Sequence, residues 1–218
     1  MNNLISLIPR KVPPQGLRTN KHDGEKIKQF FFQDEWEKLS WLKQLPNFPN
    51  KEVSVLYPGS GADLFWPLYY LEHLFPKLEK ANLLFVDLYP VQEAIRTILD
   101  DAGLSFGEEP GKERDGEERK ALSFYWKEIL VTLTCREGNI FEIISTLPSS
   151  LPHFNLYFER AFRIMKEPHP DYEQNIVEKL AGGGMVVSDS GFQNTLLRKI
   201  NIPAELSAYG EMVVGVKG

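Results

Sequence analysis

Short apolar runs alternate with helical patterns along most of the chain. Four runs of four or five mostly apolar residues predict buried strands at 53–57, 83–86, 154–158 and 185–188. Between them, apolar residues recur at spacings of three and four, which predicts helices at 65–78, 90–99, 140–147 and 169–181. This alternation predicts an α/β fold in which a parallel sheet carries helices on both faces.

Three further strands are expected to complete the sheet. One lies in the β-prone run 121–135, which can form either a single strand around 129–134 or a hairpin that includes 122–126. Two closing strands at 205–208 and 211–216 would form a C-terminal β-hairpin. The pattern therefore predicts a doubly wound, mostly parallel sheet of seven strands.

The segments between these strands have their own signals. Residues 100–120 are rich in Gly and charge and are expected to form a mobile surface loop. Three glycines at 182–184 are expected to end a helix, because glycine adopts left-handed angles without strain. Apolar spacing predicts another helix at 192–200.

The first 50 residues differ from the rest and are assigned to an N-terminal extension, with the main domain at 51–218. Residues 1–22 carry four basic residues and no acid, so they predict an extended arm that is either a solvated tail or a contact to a substrate phosphate. Residues 25–45 predict a flanking helix whose apolar stripe contains Phe32, Trp36, Leu39 and Leu42.

Composition narrows the class of protein. The 218 residues are 42% hydrophobic and 25% charged, which is typical of a globular protein. The net charge of −5 makes a nucleic-acid binder unexpected, because such proteins present a basic face. One cysteine, Cys135, excludes an internal disulfide. Without a membrane-length apolar run or a secretory leader, the chain is expected to be cytoplasmic and not to bind a membrane.

The candidate chemistry lies where the first strand ends. Gly59 and Gly61 let the backbone turn sharply and let a ligand approach without a Cβ in the way. Asp87 ends the next strand, where a carboxylate can accept hydrogen bonds from ribose hydroxyls. A dinucleotide site would require glycine at the sixth position of the loop, which is Leu64, so we do not favour a nicotinamide or flavin cofactor.

These motifs resemble the class I S-adenosylmethionine-dependent methyltransferase family. The loop from Tyr57 to Asp63 is similar to its first motif, Asp87 to its ribose-binding acid, Glu137-Gly138-Asn139-Ile140 to its adenine-contacting segment, and Leu180-Ala181-Gly182-Gly183-Gly184 to its turn into strand five. Tyr57 replaces the usual acid, Asp63 the third glycine and Asn139 the usual Asp.

The resemblance implies a Rossmann-like fold and transfer of a methyl group from S-adenosylmethionine to an unidentified acceptor, expected to be a small molecule. It implies cofactor contacts from Tyr57, Gly59, Gly61, Asp63, Asp87, Leu88, Asn139, Ile140 and Glu159. It identifies no catalytic residue and no metal site. Asp63 could repel the methionine carboxylate, cap the helix or receive the α-amino group.

Several alternatives remain open. Glu159 could act as a base or substrate anchor, or form a surface ion pair with Arg160 or Arg163. Asp189 could join Glu159 at a divalent cation, although two carboxylates without a third ligand favour this weakly. The whole protein could also be a fold relative that has lost transfer activity and serves as a binding or interaction module. A third possibility is a site for another nucleotide or nucleoside.

Overall fold

The computed structural model describes residues 24–110, 120–147, 154–194, 196–207 and 210–218. Strands in these residues are β1 (Glu52–Pro58), β2 (Lys80–Asp87), β3 (Phe106–Pro110), β4 (Lys120–Trp126), β5 (Ile129–Glu137), β6 (Phe154–Glu159), β7 (Leu180–Ser188), β8 (Leu197–Ile200) and β9 (Val213–Lys217). Helices are α1 (Gly24–Lys28), α2 (Gln33–Lys38), α3 (Phe65–Leu74), α4 (Gln92–Asp101), α5 (Ile140–Thr146), α6 (Arg163–Lys166) and α7 (Tyr172–Lys179), with 3₁₀ turns at Leu39–Gln44 and Ala204–Leu206. The arm predicted at 1–22 lies outside the described residues.

All nine strands belong to one mixed sheet in the order β3-β4-β5-β2-β1-β6-β7-β9-β8. The five strands from β5 to β7 are parallel, whereas β3, β4, β8 and β9 pair antiparallel at the two edges. The α/β class is therefore confirmed. The expected seven-stranded, mostly parallel sheet is wrong, because β3 and β4 extend it beyond β5.

The extra strands come from a region whose sequence is ambiguous. Of the two alternatives for 121–135, the hairpin is correct: β4 turns into β5 through Lys127 and Glu128, and Lys127 has the positive φ of 54° that such tight turns require. The loop predicted over 100–120 is wrong at 106–110, where β3 forms. Its polar sequence suits a strand at the sheet edge; residues 111–119 lie outside the described part.

The strand order sets the position of the ligand-binding edge. From β1 the chain proceeds through β2 to β5 on one side, and then returns to place β6 directly beside β1, with Val55 paired to Leu156. A reversal of this kind opens a crevice at the carboxyl ends of the two strands, where open α/β sheets bind ligands. The ends of β1, β2 and β6 share that edge.

The N-terminal helices are part of the core on one face of the sheet. Ile27, Leu42 and Leu45 are buried in the same cluster as α3, whose residues are apolar on nearly all sides. The single helix predicted over 25–45 is wrong, because the chain turns between α1 and α2. That turn buries Phe31 against Trp66 and leaves Phe32, predicted in the buried stripe, 78% exposed.

Two predictions near the C-terminus are also wrong. The glycines at 182–184 lie within β7 and do not end α7, which stops at Lys179. The segment 192–200 contains strand β8 in place of a helix, and 204–206 forms a 3₁₀ turn where a strand was expected. The closing antiparallel pair is formed by β8 and β9, so of the two predicted closing strands only the one at 211–216 is confirmed, as β9. In the described ranges, no helix is long and apolar enough to cross a membrane.

Candidate active site

The loop after β1 has the backbone that its glycines predict. Gly59 and Gly61 have φ angles of +56° and +49°, in the left-handed region that side chains rarely occupy. The Gly59 amide donates to the carbonyl of Val86, which attaches the loop to the end of β2. The loop therefore turns sharply across the carboxyl ends of the two central strands.

Asp87 reaches this loop directly. Its Oδ2 accepts a hydrogen bond from the Gly61 amide at 2.9 Å, and its Oδ1 accepts one from the Tyr89 amide at 3.1 Å. A carboxylate has about four lone-pair positions, so each oxygen can still accept a hydrogen bond from a hydroxyl group. The sharp turn and the carboxylate are therefore adjacent, as the sequence predicts.

The residues around Asp87 leave an apolar surface at the end of β2. Leu88 and Tyr89 are 51% and 74% exposed. The Gly138 amide donates to the carbonyl of Asp87 at 2.8 Å, which brings the end of β5 beside them. Asn139 caps α5 by accepting from the Phe141 amide at 3.0 Å, and Ile140 is buried beneath it. Of these residues, Leu88 and Tyr89 offer the accessible apolar surface.

Tyr57 and Asp63 form a connected polar pair on the other side of the loop. The buried Tyr57 hydroxyl donates to Asp63 Oδ2 at 2.7 Å, and Arg160 Nη1 donates to the same oxygen at 3.0 Å. Burial raises the pKa of Asp63, and the charge of Arg160 opposes that rise. Burial and the neighbouring Asp63 carboxylate also raise the pKa of Tyr57 well above its usual range, so the hydroxyl stays protonated. Arg160 therefore balances the negative charge that Asp63 places at the loop.

Arg160 is the centre of a wider ionic cluster. Its Nη2 donates to Glu35 Oε1 of α2 at 2.8 Å, its Nε lies 3.7 Å from Asp189 Oδ2, and its guanidinium lies 4.1 Å from the centre of the Trp66 ring. Burial lowers the pKa of Arg160, but the Asp63 and Glu35 contacts outweigh that effect and raise it. The N-terminal extension thus contacts the loop edge through Glu35.

The segment after Arg160 folds onto the glycine loop. Ala161 has a φ of +52°, and its amide donates to Asp189 Oδ1 at 2.7 Å. The Phe162 amide donates to Ser190 Oγ, and the Phe162 ring lies 2.8 Å from the position that a Cβ on Gly59 would occupy. Gly59 therefore allows close approach by a protein side chain.

Glu159 does not face the crevice. Its side chain is fully buried and contacts Lys166, Ser188 and Tyr157, and Lys166 also contacts Glu173 at 3.1 Å. The alternative of a surface pair with Arg160 or Arg163 is wrong, because those arginines pair with other carboxylates. Because protein partners enclose both oxygens, we leave Glu159 out of the proposed site.

Asp189 is also engaged by protein groups, namely Ala161, Ser190 and Arg160. Among the described residues, no group of three or more His, Cys, Asp or Glu side chains is arranged to hold a metal ion. These contacts give no support to a divalent-cation site formed by Asp189 and Glu159, because protein groups already bind both carboxylates.

Comparison with known proteins gives structural likeness only. No protein-family model and no curated protein sequence matches the chain. Among solved structures, the chain is similar to YjhP from E. coli, with 11% identity over 72% of this chain and 49% of that one, and a TM-score of 0.40. The chain thus spans about half the length of that protein.

Two further solved structures are covered more fully. One is an S-adenosyl-L-methionine methyl transferase from Silicibacter pomeroyi, with 12% identity, 82% of this chain and 86% of that chain covered, and a TM-score of 0.40. The other is a complex between the Haloferax volcanii Trm112 methyltransferase activator and a candidate methyltransferase, with 12% identity, 91% and 98% coverage, and a TM-score of 0.44. Identities this low do not transfer a ligand, an activity or a partner to this chain.

Three residues at this edge were not predicted as part of a site: Arg160, Phe162 and Glu35. Arg160 had one usable signal, since it lies next to Glu159 at the end of a predicted buried strand, and strand ends of a parallel sheet meet at the ligand-binding edge. Phe162 and Glu35 had none. Their positions depend on the left-handed turn at Ala161 and on the break between α1 and α2.

Proposed function

We propose that this protein is an S-adenosylmethionine-dependent methyltransferase that acts on a small-molecule acceptor. The observation that carries the proposal is the contact between Asp87 and the Gly61 amide. It places a carboxylate able to accept ribose hydroxyls beside a loop that lets a ligand approach the backbone. The exposed side chains of Leu88 and Tyr89 supply an apolar surface for a base at the same strand end.

The residues present suit a nucleoside better than a dinucleotide. Asp87 would bind the ribose, Leu88 would contact the adenine, and Gly61 would let the ligand pass close to the backbone, because no atom lies within 4 Å of its Cβ position; the predicted contact at Gly59 is taken by the Phe162 ring. The net negative charge of the nearby acidic cluster, three carboxylates around Arg160, disfavours a pyrophosphate. S-adenosylmethionine would supply a methyl group that its sulfonium charge activates for transfer.

Catalysis in such a site depends mainly on alignment. Holding donor and acceptor in position can lower a barrier by about 7–11 kcal/mol. A general base is needed only when the acceptor must lose a proton. The protein's own part is therefore to bind the nucleoside, orient its tail and exclude water, and we assign no catalytic base.

Titration calorimetry tests this proposal with S-adenosylmethionine and S-adenosylhomocysteine as ligands. We expect micromolar binding by the full chain and a loss of at least about tenfold in Asp87→Ala, because a charge-assisted hydrogen bond is removed. Asp101→Asn on α4 is the matched control, since Asp101 is exposed and far along the chain from the loop. Absence of binding by the wild-type protein at millimolar ligand would refute the proposal.

A labelled methyl donor tests the transfer step. Tritiated methyl groups should move from S-adenosylmethionine into one fraction of a cellular small-molecule pool. Asp87→Ala should abolish the label in that fraction, whereas Asp101→Asn should leave it unchanged. Label found only in protein or nucleic acid would contradict a small-molecule acceptor.

A second candidate function is a module of the same fold without transfer activity. It is favoured by Phe162, whose buried ring packs against Gly59 at the crevice between β1 and β6. In that case neither the wild type nor Phe162→Ala gives heat with S-adenosylhomocysteine up to millimolar concentration. Micromolar binding by the wild type contradicts this candidate.

A further inference from the structure

The ionic cluster at the end of β6 offers a charge pattern that the proposed cofactor contacts do not use. Arg160 is surrounded by Glu35, Asp63 and Asp189, and each of these carboxylates comes from a different part of the chain. A guanidinium between carboxylates is complementary in charge to a zwitterion. The carboxylate of the zwitterion would contact the guanidinium, and its ammonium would contact one of the carboxylates.

The sheet order places this cluster on the far side of β1 from Asp87. The order β2-β1-β6 means that a ligand with its ribose at Asp87 and its base at Leu88 extends in the other direction across β1 towards the end of β6. Arg160 directly follows β6, and it contacts Asp63 of the glycine loop at 3.0 Å. The tail of the ligand would therefore end beside Arg160.

Glu35 occupies one side of the guanidinium and can be displaced. Its Oε1 accepts from Arg160 Nη2 at 2.8 Å, while its Oε2 accepts from the Phe32 amide at the start of α2. The contact joins two side chains that are 27% and 19% exposed, at the surface rim of the cluster. A carboxylate brought by a ligand could replace Glu35 Oε1 without leaving Arg160 unpaired.

Asp63 and Tyr57 are held more firmly than Glu35. Asp63 accepts from both the buried Tyr57 hydroxyl and Arg160, and the Trp66 backbone also hydrogen-bonds to it. Exchange of Glu35 is therefore easier than exchange of Asp63. Asp63 would stay in place to attract an ammonium group.

We infer that Arg160 binds the carboxylate of an amino-acid tail on the nucleoside ligand, and that Glu35 occupies this position in the free protein. The inference rests on the proposed function, because it assigns the far end of the same ligand. It explains how a loop with Asp63 in place of glycine can bind a methionine group. The carboxylate of that group would contact Arg160, and its ammonium would contact Asp63. A nucleoside monophosphate, which carries only negative charge, would be excluded.

Paired ligands separate this inference from the proposed function. S-adenosylhomocysteine carries the amino-acid tail, and 5′-methylthioadenosine has the same nucleoside without it. Calorimetry with the full chain should show that Arg160→Gln weakens S-adenosylhomocysteine about tenfold or more and leaves methylthioadenosine unchanged, since only the former loses a charge-assisted hydrogen bond. Glu35→Gln should tighten S-adenosylhomocysteine by about two- to fivefold, because a competing, partly exposed ion pair is removed.

Matched variants protect the result against effects on folding. Glutamine at position 35 keeps an oxygen for the Phe32 amide, and capping positions of this kind accept Gln as well as Glu. Glu37→Gln on the same helix is the control, because the Glu37 side chain is exposed and accepts a hydrogen bond from Gln33, not from Arg160. Arg160→Lys should recover part of the lost affinity, since the positive charge is retained.

The outcomes are distinguishable. If both ligands bind and the Arg160 and Glu35 variants change them equally or not at all, the inference is overturned while the proposed function stands. If neither ligand binds the wild-type protein at millimolar concentration, the proposed function fails and the inference fails with it. Binding of adenosine 5′-monophosphate as tight as that of S-adenosylhomocysteine would also overturn the inference.

Discussion

The Phe162 ring lies where a side chain on Gly59 would have to be placed. Two of its carbons are 2.8 and 2.9 Å from the ideal Cβ position of that glycine, closer than any ordinary van der Waals contact. Gly59 also has a left-handed φ of +56°. The turn after β1 and the segment after β6 are therefore fitted to each other as one packed unit.

Replacement of Gly59 by alanine should destabilise the fold for two separate reasons. The positive φ strains an L-residue by about 1–2 kcal/mol, and the overlap with Phe162 adds about 1–3 kcal/mol. Gly61→Ala is the matched control, because Gly61 has a similar φ but no atom within 4 Å of its Cβ position. Urea unfolding should show a larger loss for Gly59→Ala than for Gly61→Ala. Equal losses would show that Phe162 moves away without cost.

Replacement of Lys166 by methionine should destabilise the protein by about 3–5 kcal/mol near neutral pH, because it leaves the buried Glu159 carboxylate without its cation. Lys51→Met is the control. Its pair with Glu79 is 68% exposed on both sides, so the loss of free energy of unfolding should be much smaller than in Lys166→Met.

The same variant should show a pH dependence of known sign. Burial raises the pKa of Glu159, and Lys166 opposes that rise, so removing Lys166 raises the pKa further. An acid whose pKa is higher in the folded state contributes stability at low pH and loses it as pH rises through the folded value. The gap in unfolding free energy between wild type and Lys166→Met should therefore be smaller at about pH 5 than at about pH 8. A gap that widens on acidification would contradict this account.

Asn139 should be replaceable by aspartate but not by alanine. Its side chain caps α5 at the Phe141 amide, and removal of such a cap costs about 1 kcal/mol. Aspartate keeps the acceptor and adds a favourable negative charge at a helix N-terminus, which offsets the loss of the Asn139 Nδ2 hydrogen bond to Glu142 Oε1. Chemical denaturation should place Asn139→Ala below wild type and Asn139→Asp closer to wild type than Asn139→Ala. Equal loss in both variants would refute the capping role.

Cys135 should react slowly in the folded protein. Burial is the main cause that raises the pKa of its thiol to about 11, so the reactive thiolate is scarce near neutral pH. We expect a thiol reagent at about pH 8 to react with the native chain about a hundredfold more slowly than with the urea-unfolded chain, as two pKa units imply. The chain has one cysteine, so the measurement reports this site alone. Similar rates in both states would contradict the expected shift.

Local patterns were sufficient for the central part of the fold. The strands β1, β2 and β6 each contain a short apolar run, and such runs stand out from the helices between them. Asp87 and the glycine loop were predicted to meet because both directly follow parallel strands. Their contact at 2.9 Å depends on sheet topology and on little else.

Features that depend on distant contacts could not be predicted in this way. The polar edge strand β3 has the composition of a loop, and only its pairing with β4 makes it a strand. The segment around Leu197 has helical spacing, but it pairs with β9 and buries Leu197 against Gly215. Glu159 has the sequence position of an active-site acid, and only the buried Lys166 shows that its carboxylate is used within the core.

The left-handed backbone of Ala161 links two unlike halves of the crevice. It stands between Arg160, which carries the ionic contacts, and Phe162, which covers the glycine turn, and Asp189 holds its amide. Because Arg160 and Phe162 lie on opposite sides of Ala161 in the chain, its backbone angles set how far the guanidinium stands from the aromatic ring. The distance between the charged and the aromatic wall of the crevice therefore depends on one left-handed residue.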